Sequence, residues 1–321
     1  MNNNYLKQRQ SLPLNAKINM SKRRIEEFYD NFDRKVYVTF SGGKDSLVLL
    51  HLVRSMFKEV PALFINTGVE FPEIVDFAER QDNVITYRPK KTFPQVVKEC
   101  GYPAISKSVA MAISRFRNTK SEEQKRLRLY GGINPTSGKV QKMGVIPKMW
   151  HDIAKSDLKI SDRCCDYLKK EPIKRYEKLT GRKPFIGTLA EESLKRQQQY
   201  IKFGCNAFDK KNPSSTPLGF WTEQDILMYI KLNNLEYCKV YGNIINQDGK
   251  LITTGEKRTG CAGCLFGVHL EESPNRIDRL KITHPKLWKF FMIGCGGKAI
   301  LDKILEAKSK TQTIKRLESQ I

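Results

Sequence analysis

The feature that most constrains this fold is a strand-like run followed by two glycines. An apolar run with the character of a helix comes directly after the glycines. VYVTF (residues 36–40) has the composition of a buried strand, SGGKDS (41–46) interrupts it, and LVLLHLVRSMF (47–57) suits a buried helix. Two more strand-like runs, ALFIN (62–66) and NVITYRP (83–89), follow at similar spacing, each with helical periodicity after it. This alternation predicts an α/β fold: a doubly wound, mostly parallel, Rossmann-like sheet with helices on both faces.

Changes of pattern along the chain predict three regions. Residues 1–32 form an N-terminal helical lead, with a helix that begins at an N-cap on Ser21. Residues 33–236 form a nucleotide-binding domain, within which residues 109–129 read as one charged helix. Residues 237–321 form a smaller C-terminal region that carries the CxxC cysteines.

Composition limits the compartment and the partners. No run approaches the ~20 apolar residues of a membrane span, and the polar start MNNNYLKQRQ lacks the apolar stretch of a secretory signal. Eight cysteines, two adjacent and two spaced as CxxC, favour metal or redox chemistry over a disulfide scaffold. We therefore expect a cytoplasmic protein with no membrane partner.

Net charge is the second bulk signal, because 57 Lys and Arg residues against 34 Asp and Glu residues give +23. Two interpretations stay open: a basic surface that only maintains solubility, and a nucleic-acid partner, either tRNA or DNA. The basic residues are spread along the chain, with local clusters at residues 22–24 and 115–128.

The glycine loop has the chemistry of a phosphate site. Two glycines let the backbone turn with its amides facing inward, and the following helix directs its N-terminal amides at an anion. Lys44 would add a point charge and Asp45 would help to hold Mg²⁺, while the serines would donate hydroxyl hydrogen bonds. The alternative is a plain glycine–serine turn. The residues expected at this site are Ser41, Gly42, Gly43, Lys44, Asp45 and Ser46.

A second group of polar residues follows the second strand. Thr67, Gly68 and Glu70 would lie at the carboxyl edge of the sheet, where open α/β sheets bind ligands, so a ribose or base contact is expected. The alternative is a turn at Thr67 and Gly68 with Glu70 capping the next helix.

A third group follows the strand-like run at residues 183–188. Glu192 and Arg196 are four residues apart, with Ser193 between them, and would share a helical face. An ordinary surface ion pair is the alternative.

These motifs resemble a known family. FSGGKDS after VYVT resembles the PP-loop of adenine-nucleotide α-hydrolases, and the order SGGKDS, NTGVEFPE, GTLAEESLKR resembles the phosphoadenosine phosphosulfate reductase family and its ATP-using relatives, over residues 32–231. The resemblance implies that ATP or a related adenine nucleotide binds at the loop. It also implies catalytic roles for Lys44, Asp45 and Arg196, with Arg196 meeting the distal phosphate or sulfate. The segment departs from the family at Thr188 and Leu189, where an arginine is usual.

The cysteines extend the resemblance. Cys164–Cys165 and Cys261–xx–Cys264 resemble the CC…CxxC pattern of the iron–sulfur branch, which implies a [4Fe–4S] cluster on four thiolates. A four-cysteine zinc site fits the same count, and buried inert thiols are a further alternative. Cys205 is an alternative ligand to either member of the adjacent pair.

The function predicted from these features is cleavage of ATP at the α-phosphate with Mg²⁺, coupled to sulfur transfer onto an acceptor such as nucleic acid, with a sulfur-donor protein as partner. One alternative is a thiol-dependent phosphosulfate or adenylylsulfate reductase. The resembled reductases use a mobile cysteine near the C-terminus, and the surroundings of Cys295 do not match it. The other alternative is a nucleic-acid-binding component of a larger complex.

Overall fold

A computed structural model describes residues 2–134, 137–141 and 144–318. The chain divides into two compact units, each built from two segments. The first unit comprises Met1–Pro89 and Glu171–Thr259, and the second comprises Lys90–Lys170 and Gly260–Ile321. The regions expected at 1–32, 33–236 and 237–321 stay a prediction, and residues 319–321 of the last lie outside the described residues.

Helices account for most of the regular structure. The α-helices are α1 (Asn3–Gln10), α2 (Leu14–Asn31), α3 (Lys44–Arg54), α4 (Pro72–Glu79), α5 (Phe93–Cys100), α6 (Lys107–Asn118), α7 (Glu122–Tyr130), α8 (His151–Lys155), α9 (Glu171–Thr180), α10 (Leu194–Phe203), α11 (Glu223–Leu232), α12 (Arg276–Thr283), α13 (Pro285–Lys289) and α14 (Gly297–Glu318). Across the described ranges, none of the helices combines the length and apolarity needed to cross a membrane.

The strands are short. They are β1 (Val36–Phe40), β2 (Ala62–Ile65), β3 (Val84–Tyr87), β4 (Ala104–Ile105), β5 (Gly132–Ile133), β6 (Val140–Gln141), β7 (Lys183–Ile186), β8 (Asn206–Ala207), β9 (Ser214–Ser215), β10 (Ile244–Gln247), β11 (Lys250–Thr253) and β12 (Leu265–Phe266).

The main sheet belongs to the first unit and runs in the order β3-β2-β1-β7-β9-β8. Its pairings are parallel except that between β8 and β9, so the expected mostly parallel α/β sheet is confirmed. β1 lies between β2 and β7, pairing Val38 with Ala62 on one side and Val36 with Lys183 on the other. The chain leaves β1 towards β2 and later returns on the opposite side, which makes the end of β1 a topological switch point, where such sheets bind ligands.

The second unit contains smaller pieces of sheet. β12 pairs in parallel with β4, and β5 pairs with β6 as a hairpin. Tyr102 is fully buried and makes an edge contact with Phe93, which also contacts Phe291. These rings give the unit an aromatic core beside its CxxC turn, because the hydroxyl of Tyr102 donates to the carbonyl of Gly263 at 2.8 Å.

Two helix expectations were wrong. The first long helix begins after Pro13, and Ser21 is not its cap but a fully buried interior residue. Its hydroxyl donates to the carbonyl of Pro217 and accepts from the indole N–H of Trp221, both at 2.9 Å. The serine therefore binds a segment about 200 residues away instead of capping its own helix. The charged helix expected at residues 109–129 is two helices, α6 and α7, because the side chain of Ser121 caps a new start.

Candidate nucleotide and thiol sites

The glycine loop between β1 and α3 has a backbone that requires glycine. Gly42 has φ of +70°, and a Cβ there would lie 2.9 Å from Cγ2 and 3.0 Å from the carbonyl oxygen of Ile74. Ser46 donates to the carbonyl of Gly43 at 2.9 Å and accepts from the amide of Ser41 at 3.1 Å. The two hydroxyls lie 3.0 Å apart, so the serines brace the loop, and their contact with a ligand stays a prediction.

Lys44 is the first residue of α3 and is buried. Its ammonium lies 3.1 Å from Oε1 of Glu223 and 3.4 Å from the carbonyl oxygen of Lys257. Its backbone amide donates to the hydroxyl of Tyr241 at 3.2 Å. Both anion-binding donors of this residue therefore have partners within the first unit.

Asp45 differs from its neighbours because one of its carboxylate oxygens is unsatisfied. Oδ1 is buried without a hydrogen-bond partner among the described residues, and the ammonium of Lys44 lies 3.9 Å from it. Burial raises the pKa of Asp45, and the charge of Lys44 opposes the rise. An anionic oxygen withdrawn from water and lacking a donor fits a hard divalent cation, so the loop fits the expected Mg²⁺.

The second loop, after β2, satisfies its own carboxylate. Glu70 accepts from the amide of Thr67 at 3.0 Å, from the hydroxyl of Thr67 at 2.6 Å and from the amide of Val69 at 3.3 Å. Gly68, with φ of +75°, donates to the side chain of Asn66. Glu70 thus organises the turn, and the expected contacts of Thr67, Gly68 and Glu70 with a ribose or base stay predictions.

The third group forms the start of α10. The side chain of Ser193 caps the helix by accepting from the amide of Arg196, and Glu192 accepts from the amide of Leu189. Glu192 lies in the turn before α10 and Arg196 lies within the helix, so the expectation that they share one helical face was wrong. They form the ion pair that the sequence analysis gave as the alternative. Burial lowers the pKa of Arg196; the charge of Arg258 lowers it further, and that of Asp45 opposes both. Arg196 and Arg258 therefore share the electrostatic neighbourhood of the loop.

Sequence reasoning missed the residues that the rest of the first unit brings to this loop. Tyr241 and Thr259 bond to each other at 2.7 Å, and both hydroxyls lie within 3.3 Å of where a Cβ on Gly43 would be. Sequence reasoning also did not identify Glu223 and Arg258 as residues near the loop. A capping box at Thr222 begins α11, but no local pattern connects Glu223 with Lys44, which lies about 180 positions away.

The four cysteines expected as ligands all belong to the second unit. Cys264 donates its backbone amide to the carbonyl of Cys261 at 3.1 Å, which closes the CxxC turn. Cys164 hydrogen-bonds to Cys165 and interacts electrostatically with Cys261 and Cys264. The fold therefore brings both pairs into one neighbourhood.

Their surroundings perturb the thiols in opposite directions. The hydrogen bond from Cys164 lowers the pKa of Cys165 despite burial, with help from the charges of Lys107 and Lys169. The same hydrogen bond and burial raise the pKa of Cys164, and burial raises that of Cys264 to about 12. One member of the adjacent pair is thus favoured as a thiolate, the form that ligates a metal.

Four neighbouring thiols fit a four-thiolate centre in kind and number. Among residues 2–134, 137–141 and 144–318, however, no group of three or more His, Cys, Asp or Glu side chains is arranged around a position for a metal ion. Cluster and zinc both stay predictions. Cys205 belongs to the first unit, where it is buried beside Tyr200 and burial raises its pKa to about 11.

A glycine loop at the switch point of a mostly parallel sheet, with a lysine and an aspartate opening the next helix, is typical of α/β domains that bind phosphate groups. The family model described as the phosphoadenosine phosphosulfate reductase domain matches residues 35–105 and 124–295. The chain belongs to this family.

Relatives within the family are distant. The adenosine 5'-phosphosulfate reductase of Anoxybacillus flavithermus is 23% identical over 246 residues, covering 76% of this chain and 78% of that protein. An uncharacterized protein of Methanocaldococcus jannaschii is 24% identical over 273 residues, covering 83% of this chain; the chain spans 42% of that protein's length. The U34-tRNA thiolase NcsA of Methanococcus maripaludis, solved with its [4Fe-4S] cluster, is 16% identical with a TM-score of 0.36, covering 88% of this chain and 79% of that one.

Proposed function

We propose that this protein binds ATP with Mg²⁺ at the glycine loop and cleaves it at the α-phosphate, in a reaction coupled to sulfur transfer. The observation that carries the proposal is the unsatisfied buried oxygen of Asp45, beside the ammonium of Lys44 at the start of α3. This oxygen could coordinate a cation while the neighbouring ammonium binds phosphate, which is the arrangement that a metal–nucleotide complex needs.

Each residue has a role that follows from its charge and place. The amides of Gly43 and Lys44 and the Lys44 ammonium would bind phosphate oxygens, and Arg196 would bind the distal phosphates. Asp45 would hold Mg²⁺, which when bound neutralises charge on the phosphates. Fixed positive groups of this kind stabilise the charge that develops on a pyrophosphate leaving group. The other product is an adenylated acceptor, on which a sulfur nucleophile would form the new carbon–sulfur bond while AMP leaves with the acceptor's oxygen.

The thiols of the second unit would supply the sulfur chemistry. Cys164, Cys165, Cys261 and Cys264 would bind a [4Fe–4S] cluster, with zinc as the alternative. A sulfur-donor protein would deliver the sulfur, and the reducing cytoplasm would suit these thiols.

The acceptor we favour is nucleic acid, tRNA or DNA, because the chain carries a net charge of +23. Not all of its arginines are available for phosphates. Arg117 donates to the carbonyls of Ile153, Ala154, Ser156 and Leu158 and therefore holds the second unit together. Arg126 pairs with Glu123 on the surface and can exchange this partner for a phosphate.

Reduction of adenosine 5'-phosphosulfate or its 3'-phosphorylated form is the second candidate. The relative from Anoxybacillus flavithermus supports it, since that protein is named as such a reductase and matches across most of both chains. The same loop would then bind the sulfonucleotide.

Product analysis separates the candidates. Anaerobically purified protein is incubated with Mg²⁺–ATP and tRNA or DNA, or with each phosphosulfate and a thiol. Pyrophosphate release supports the first proposal, sulfite release supports the second, and neither product points to a nucleic-acid-binding component. Lys44→Ala should lower the productive rate at least about tenfold, because it removes a charge from the phosphate site. Lys58→Ala, at an exposed lysine of the same unit, should not. An unchanged rate in Lys44→Ala would remove the loop from the site.

Metal analysis tests the thiol centre. We expect iron and acid-labile sulfide in near-equal amounts, and loss of both in Cys261→Ser. Cys100→Ser, at a cysteine outside the proposed ligands, should keep them. Zinc without sulfide in an anaerobic preparation would favour the tetrahedral alternative.

A further inference from the structure

The anion-binding donors of the glycine loop are occupied by groups of the same unit. The ammonium of Lys44 is buried and lies 3.1 Å from a carboxylate oxygen of Glu223, while its backbone amide is bonded to the hydroxyl of Tyr241. A polyphosphate that bound Lys44 would therefore have to replace Glu223 as the partner of the ammonium.

The replaced carboxylate would remain close to other negative charges. Glu223 is the first residue of α11, and its backbone amide donates to Oε1 of Glu191 at 2.6 Å. Burial raises the pKa of Glu191, the hydrogen bond from the backbone amide of Glu223 opposes this rise, and the carboxylates of Glu223 and Asp45 add to it. Burial also raises the pKa of Asp45; the charge of Lys44 opposes that rise and the charge of Glu223 adds to it. A polyphosphate without a cation would add its own charge to this group, which costs free energy.

A divalent cation changes this balance. When Mg²⁺ binds beside Asp45, it offsets the charge of the carboxylates at the moment when Glu223 loses Lys44. Removal of Glu223 from Lys44 then becomes easier when the metal is present, and by linkage the metal binds better when the nucleotide is present.

We propose that Glu223 makes nucleotide binding depend on the divalent cation, because its ion pair with Lys44 competes with metal-free polyphosphate and yields to the metal complex. This inference rests on the proposed binding of ATP at the loop and assigns Glu223 as a positioning residue that selects the metal-bound form of the ligand.

Calorimetric titration of ATP, in excess Mg²⁺ and in chelator, tests the proposal. In Glu223→Gln, Lys44 no longer has a charged competitor, so metal-free ATP should bind about fivefold tighter or more, and the factor by which Mg²⁺ improves affinity should fall correspondingly. Glu223→Asp, which keeps the charge on a shorter side chain, should stay closer to the wild type. Glu236→Gln is the control, because Glu236 pairs on the surface with Arg80.

Two outcomes would overturn the assignment. Weaker Mg²⁺–ATP binding by Glu223→Gln with unchanged metal-free binding would make Glu223 a simple metal ligand. Unchanged affinities under both conditions would make its ion pair irrelevant to binding. Either result leaves the proposed function standing if Lys44→Ala still weakens ATP binding. Absence of ATP binding to the wild-type protein and all of these variants would instead overturn both proposals.

Discussion

The two loops that follow β1 and β2 have the same place in the fold but opposite internal chemistry. Both leave a buried parallel strand, turn through a glycine of positive φ and start a helix. In the loop after β2, the carboxylate of Glu70 binds its own turn. In the loop after β1, Oδ1 of Asp45 has no hydrogen-bond partner within the part of the chain that the structure describes. A carboxylate at a sheet edge can thus stabilise a loop or serve a ligand, and its hydrogen bonds distinguish the two.

The largest difference between the loops should appear when their glycines are replaced. Gly42→Ala combines a positive φ with a collision against Ile74, whereas a Cβ on Gly68 would meet nothing within 4 Å. We expect Gly42→Ala to lower the free energy of unfolding by about 2–4 kcal/mol and Gly68→Ala by about 1 kcal/mol. Equal losses in urea denaturation would show that Ile74 moves aside and that the first loop is not tightly packed.

Removal of the self-satisfied carboxylate should have a smaller effect. Glu70→Ala leaves the amides of Thr67 and Val69 without their acceptor, so we expect a loss of about 2 kcal/mol. Glu70→Gln retains one acceptor oxygen and should lose less. If the thermal unfolding temperature of Glu70→Ala is unchanged while its nucleotide affinity is lost, Glu70 contacts the ligand directly. The two loops would then not differ in the role of their carboxylates.

The smallest of the expected changes in the free energy of unfolding is a gain in stability. Because the pKa of Asp45 is raised in the folded state, its stability cost is absent in acid and appears as pH rises through the raised value. Asp45→Asn should therefore be more stable than the wild type at neutral pH, by up to about 1 kcal/mol, with no gain near pH 3.

Added Mg²⁺ provides the control for this substitution. The cation should stabilise the wild type in the presence of ATP but stabilise Asp45→Asn much less. Lower stability of Asp45→Asn at neutral pH would show that the carboxylate has a partner in the folded protein and would remove the basis for a metal there.

The sequence predicted the parts of this fold that local patterns encode. β1 was predicted with its exact bounds because five consecutive strand-forming residues stop just before the turn formed by Ser41 and the two glycines. β8 and β9 were missed because two residues give no periodicity. The start of α2 was misplaced because Ser21 has the identity of a cap and the contacts of a core residue.

The candidate site also has parts that local sequence patterns predict and parts that they do not. The loop and the cysteine pairs were visible as motifs, and the ion pair of Glu192 with Arg196 was the alternative that their spacing offered. The contacts of Lys44 with Glu223 and Tyr241 depend on segments about 180 to 200 residues away, which only the folded chain brings close. Long-range partners of this kind decide whether a motif is accessible to a ligand. A motif alone therefore predicts where a site lies but not which residues compete with its ligand.

The discontinuous first unit has a consequence for synthesis on the ribosome. β1 pairs with β7, so residues 36–40 can form their second strand pairing only after residue 186 has emerged from the ribosome. During that interval one edge of a largely apolar strand lacks its partner, and closing so long a loop slows folding. The glycine loop at the end of β1 therefore acquires its final frame only after β7 has been made, although the loop precedes β7 along the chain.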